Sequence, residues 1–204
     1  MTEIFEYRGV EGLVYAEVTA DDNEIEGGYK TGAVKDLAGV AEIGKTTENS
    51  SESHYYDNIP AVVIQSEGSD TLTLTCSGIA LEVLAEITGK KFDAAKGAMI
   101  DTIAQPKYFA IGYKTKKTNG DEVYVWRYKG KFGIPDENYA TEDDGTEANG
   151  TELTYTGIAT THKFTNGGRV KALVVDTGLA KADVSTFFET VTTPDTLTAV
   201  DAEG

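Results

Sequence analysis

The sequence predicts a mainly β protein, a single β-sandwich or barrel with one flanking α-helix (about 77–89) and a short C-terminal helix (about 183–191). Three observations predict it. Apolar residues alternate with polar ones in several short runs separated by turn residues. Tyr is abundant, at 11 against one Trp and two Met, which favours strands and half-exposed surfaces over a helical bundle. Gly at 22 and Pro at 4 imply many turns and no Pro-rich linker. A length of 204 residues suits a single domain of this class, spanning 1–204.

The elements follow in chain order. In GLVYAEVT (12–19), Val14, Ala16 and Val18 share one apolar face, which reads as a half-buried strand with a turn at 20–23. KDLAGVAEI (35–43) is a weaker strand. Next comes a long polar loop at about 45–60, containing TTENSSESHYYDNIP, whose Tyr-Tyr-Asp-Asn-Ile-Pro stretch is a turn. Two apolar-alternating strands follow, with a turn at Glu67-Gly68-Ser69-Asp70. In the second, Leu72, Leu74 and Cys76 oppose three threonines. Ile79, Val83, Leu84 and Ile87 recur at helical spacing, with Ser77 as a cap and Gly89 in the left-handed closing position.

Segments 107–115 and 122–129 flank Asn119-Gly120, a strong hairpin-turn dipeptide. Tyr124, Trp126 and Tyr128 share one face of the second strand. An acidic, Gly-containing loop at about 134–150 precedes strands at 151–160 and 170–175. Val184, Phe187, Phe188 and Val191 recur at i, i+3, i+4 and i+7 behind Asp183, which predicts the last helix. Residues 194–204 read as a frayed acidic tail.

The formal net charge of −16 argues against binding to nucleic-acid backbones, which takes basic patches. The simplest account is a well-solvated acidic surface. Cys76 is the single cysteine, so no internal disulfide and no cysteine metal pair is expected. The opening MTEIFEYRGVEG has no basic or apolar region of a signal peptide, and no run of 18 apolar residues occurs, so neither export signal nor membrane span is expected. Synthesis in a reducing cytoplasm, or exit by a route that reads no Sec signal, is the matching expectation.

No catalytic pattern emerges. His54 and His162 lack partners at ligand spacing. If Gly145 were the sixth position of a calcium loop, the first would be Ala140 and the twelfth Thr151, and neither is a carboxylate. Gly-x-Ser-x-Gly, P-loop and dinucleotide fingerprints are missing. The expectation is a non-enzyme with no catalytic residue, metal or cofactor. Two regions of opposite charge suggest contact between copies: Lys114, Lys116 and Lys117 on the basic hairpin against Asp143 and Asp144 in the acidic loop. The polar loop supplies further contact candidates in Glu48, Glu52, His54, Tyr55, Tyr56 and Asp57.

The order of these features resembles one known family. VYAEVT leads to a polar excursion holding SHYYDN, then TLTLT runs into a helix ending in TGK. VYVWRYK, LTYTGIA and ADVSTFFETV before Thr-Pro complete the series across most of 5–195. The chain thus resembles the major tail proteins, the tail-tube subunits, of long-tailed bacteriophages of Gram-positive hosts. That resemblance implies a sandwich or barrel that forms stacked, hexameric rings. The hollow tube would pass DNA without binding it specifically, behind a negatively charged wall. It implies the tape measure and the tail tip or terminator proteins as further partners, a virion location after assembly in the host cytoplasm, no membrane, and a long loop bridging successive rings. The alternative is a monomeric carbohydrate-binding or adhesin-like β-domain with exposed Tyr and Trp.

Overall fold

The computed structural model describes residues 4–23, 28–136 and 150–200. In chain order the strands are β1 (Tyr7–Asp21), β2 (Tyr29–Thr31), β3 (Lys35–Asp36), β4 (Val40–Tyr56) and β5 (Ile59–Cys76). The helix α1 (Leu81–Thr88) separates these from β6 (Lys91–Asp93), β7 (Ala98–Ile100), β8 (Phe109–Lys117), β9 (Glu122–Phe132), β10 (Thr151–Gly157) and β11 (Ala172–Asp176). The protein is mainly β, and nine of these strands form one sheet in the order β2-β1-β8-β9-β10-β5-β4, with β11 added to β9 and β3 to β1.

The sheet curls until β4 lies near β1. Side chains of one face then meet inside it: Leu13 and Tyr15, Phe109 and Ile111, Phe132, Leu153 and Tyr155, and Leu72, Leu74 and Cys76. Ile87 of α1 closes one end of this interior. The opposite face of β1, β8 and β9 carries a second core of Val14, Ala16, Ala110, Trp126 and Tyr128, covered by Val175, Phe187 and Val191. Four consecutive residues of β1, Leu13 to Ala16, are therefore buried on both faces, and the expected half-buried strand is doubly covered.

β9 organises the molecule because it serves two wings. Its first half pairs with β8 and β11, and its last residues pair with β8 and β10. An irregularity between the pairs Phe109↔Gly130 and Ile111↔Arg127 inserts one extra residue in β9. The insertion turns Phe132 into the interior while Trp126 and Tyr128 face the outer core.

Several expectations change. The helix at 183–191 is not formed: 185–191 are turns, with i to i+3 bonds from Phe187 to Val184 and Glu189 to Thr186. The Phe187 carbonyl accepts from the Trp126 indole N–H at 2.8 Å and from Thr192 Oγ1 at 3.1 Å, so side chains take the acceptor a helix would use. The apolar stripe still faces the sheet, through Val184, Phe187, Phe188 and Val191. Helix 77–89 is shorter than expected and begins after Ala80, which makes no side-chain cap. Ser77 accepts instead from the Gly39 N–H, while Gly89 closes the helix at φ 70° as expected. The 194–200 part of the tail is built in: Leu197 packs on the outer core and Ala199 bridges Ala182. Residues 201–204 lie outside the described residues.

The largest correction concerns 45–60, which is not a loop. β4 and β5 run paired from Val40↔Cys76 to Tyr56↔Ile59, closed by Asp57 and Asn58 at φ 50° and 63°. That two-residue turn with both residues left-handed matches the twist of the strands it joins. Nor is there a turn at 67–70, since β5 passes straight through it. Gly68 lies beside a register shift between Thr47 and Asn49, where a side chain would collide with the Glu48 carboxylate.

Candidate assembly surface

The distal ribbon of β4 and β5 leaves the body. Among residues 48–68 every one is exposed except His54, which is half-buried. At about 3.3 Å per residue, the nine residues 48–56 carry the tip roughly 30 Å outward. The tip is apolar on both faces: Tyr55, Tyr56, Ile59, Val62, Val63 and Ile64 are 47–65% exposed. An isolated two-stranded ribbon is marginal in water, and an exposed apolar one invites a partner.

All six contact candidates fall on this ribbon, and they do not form one cluster. Glu48 is at the root, where it accepts from Ser69 Oγ at 3.4 Å. Glu52 and His54 sit midway, and Tyr55, Tyr56 and Asp57 at the tip. The Nε2 of His54 is covered and has no hydrogen-bond partner among the described residues. Sequence reasoning passed over Ile59, Val62, Val63 and Ile64. Their signal was the unbroken apolar run 61–64, which reads as a strand facing the core.

The ribbon is pinned at its root by a polar hub. Asp70, 3% exposed, points inward on the same face of β5 as Leu72. Its carboxylate accepts from Arg127 Nη1 at 2.8 Å, Thr47 Oγ1 at 3.0 Å and Lys171 Nζ at 3.3 Å, with Lys45 at 3.6 Å. Lys171 also reaches Glu67 at 2.6 Å and the Gly68 carbonyl at 2.5 Å. Burial is the largest influence on the Asp70 carboxyl and pushes it up. The Thr47 hydroxyl and the Lys45 and Lys171 charges outweigh it together, and the group ends below its ordinary value. The hub therefore ties β4 and β5 to β9 and to the entry of β11.

Beside the hub, where β9 leaves β11 for β10, the curled sheet stays open. A cleft of about 610 Å³ lies between β4 and the hairpin of β8 and β9, walled by Val10, Ile43, Tyr113, Val123, Val125 and Val174. Lys45 and Arg127 contribute the positive charge of its lining and Glu42 the negative.

The basic hairpin is largely answered within the chain. Lys114 and Lys116 share Glu11 and Glu122 at 3.1–3.5 Å. Hydrogen bonds from Lys116 and Lys114 hold the Glu11 carboxyl below its ordinary range. Lys117 bonds Asp176, Lys129 meets Asp21 at 2.5 Å, and Lys107 meets Glu17 at 2.8 Å. Asp143 and Asp144 lie outside the described residues. Trp126 and Tyr128 are fully buried in the outer core, so the aromatic face of β9 is a packed face rather than a platform.

No group of three or more His, Cys, Asp or Glu is placed to hold a metal ion among the described residues. No helix among them is long and apolar enough to cross a membrane. No protein-family model matches the chain, and no curated protein matches it significantly.

Proposed function

We propose that this chain is the repeating subunit of a self-assembling tube, of the kind that long-tailed phages build from stacked, hexameric rings. The observation that carries the reading is the projecting ribbon of β4 and β5, stiffly paired to its end and apolar at its tip. A lone subunit exposes this surface to water, and association covers it. The net charge of −16 supports a wall past which DNA slides without adhering. On this reading the protein is a non-enzyme of the virion whose partners are its own copies, the tape measure and the proteins that begin and end the tail. Of the two contact surfaces expected from the sequence, the ribbon is the better supported, because Lys114, Lys116 and Lys117 already have partners in the chain.

The alternative, a monomeric glycan-binding domain, needs exposed aromatics in an array. Trp126 is not available for one. Negative-stain electron microscopy of the purified full chain over a range of concentrations tests the proposal. Rings, stacks or tubes are expected. A protein that sediments as a monomer at every concentration and binds glycan would overturn it.

A further inference from the structure

We infer that the cleft beside the hub receives the ribbon tip of a second copy of this chain. This rests on the tube reading and names the surface that the arm engages. Two apolar surfaces on one molecule lack a cover: the tip with Tyr55, Tyr56 and Ile59, and the mouth of the cleft, where Val174 is 60% exposed above the buried Val123 and Val125. The cleft, at about 610 Å³, lies within the ~300–1,000 Å³ range of pockets that bury a drug-sized body.

The chain's own tip does not fill it. Ile43 and Lys45, which line the cleft, are the beginning of the same β4 whose far end is the tip. The ribbon is paired all the way, so its end lies roughly 36–43 Å from that wall at about 3.3 Å per residue. Only another molecule can bring a tip into the cleft.

Charge agrees with this occupant. Residues 48–68 hold Glu48, Glu52, Asp57 and Glu67 and neither Lys nor Arg. In the receiving lining Arg127 is already paired with Asp70, which leaves the exposed Lys45, beside Glu42, to meet Asp57 of the incoming tip. Lys45 keeps 43% of its side chain exposed and meets Asp70 only at 3.6 Å, so it is free to turn toward an incoming acid. Tip and cleft are different surfaces, so head-to-tail repetition of the contact gives a ring or an open filament, whereas two copies that exchange tips reciprocally close into a two-fold dimer.

Two variants of the full chain that each add one exposed cysteine to the buried Cys76, Tyr56→Cys at the tip and Val174→Cys at the lip, test the assignment. Val174 is 60% exposed and Tyr56 64%, so neither substitution opens a core. Mild oxidation of the mixed variants should give a covalent dimer at least about tenfold above either variant alone, the ratio that about 1.4 kcal/mol of preference produces. Equal tip-to-tip dimers from Tyr56→Cys alone overturn the assignment. So do tubes that form without the mixed crosslink, although they leave the tube reading standing. Absence of any self-association overturns both. In a second measurement, Val174→Asp sets an acid against the acidic tip and should raise the concentration needed for assembly at least about tenfold. Unchanged assembly of that folded variant shows that the cleft takes a different occupant and overturns the inference.

Discussion

Replacing Asp70 by Asn removes the charge at the centre of the hub while keeping its shape. Arg127 then remains as a cation 8% exposed, without the carboxylate that meets it at 2.8 Å. Removing one member of a buried pair costs about 3–5 kcal/mol, because the other is left uncompensated. The remaining hub cations add little to this figure. Lys45 can turn to water and Lys171 retains Glu67, which is 61% exposed, and pairs of that kind contribute about 0–1 kcal/mol. At about 2–4 °C per kcal/mol for a chain of this size, the melting temperature should fall by roughly 6–20 °C. Arg127→Met alone should cost less, since Asp70 keeps Lys171 and Thr47. The double variant Asp70→Asn, Arg127→Met should recover most of the loss, as a buried pair replaced by neutral side chains is often close to neutral. Thermal unfolding followed by circular dichroism reads all three. A loss below about 1 kcal/mol for Asp70→Asn, or a double variant equal to the sum of the singles, would refute the reasoning. The pH dependence follows from the same group. The folded Asp70 carboxyl lies below its ordinary value, so its contribution is complete above about pH 4–5 and is lost as pH falls through the lowered value. Asp70→Asn should lack that acid-side component.

Replacing Ser50–Ser66 with Asn-Gly keeps the pair Asn49↔Glu67 and closes it with a two-residue turn. This variant should melt within about 1 kcal/mol of the wild type, since none of the removed residues is buried. It should form no tubes by electron microscopy, and normal tubes would remove the ribbon from the assembly. Cys76 is 2% exposed and burial pushes its thiol up to about 11, so a thiol reagent at neutral pH should label it only after denaturant is added. Rapid labelling of the native protein would contradict the interior placement of β5. Gly130→Ala would put a methyl 2.3 Å from the Tyr155 ring and 2.6 Å from the Thr156 carbonyl. A loss of about 1–3 kcal/mol is expected from such overpacking, and a neutral result by denaturant titration would show that the β9–β10 junction yields easily.

Burial of one face explains which elements were legible. Leu72, Leu74 and Cys76 alternate with threonines because one face of β5 meets the interior and the other does not. The Asn119-Gly120 turn and the Gly89 closure follow from local backbone preference and were equally readable. The distal ribbon was not. Neither of its faces is buried in the subunit, so Thr46–Ser53 had no reason to alternate and resembled a polar loop. The short pair β6 and β7 escaped notice for a related reason, as three residues per strand carry too little pattern.

The sequence by itself determined the mainly β class, the α1 helix, the β8–β9 hairpin and the acidic character of the chain, since each rests on local periodicity, turn chemistry or composition. Tertiary structure alone decided the rest. The stripe Val184, Phe187, Phe188 and Val191 was readable as apolar, but Trp126 takes the Phe187 carbonyl and holds the segment in turns. Asp70 and Arg127 are 57 positions apart, and only the curl of the sheet brings them together. The segment 45–60 became an arm because pairing with β5 satisfies its backbone in water without any buried face, and side-chain pattern does not record such pairing.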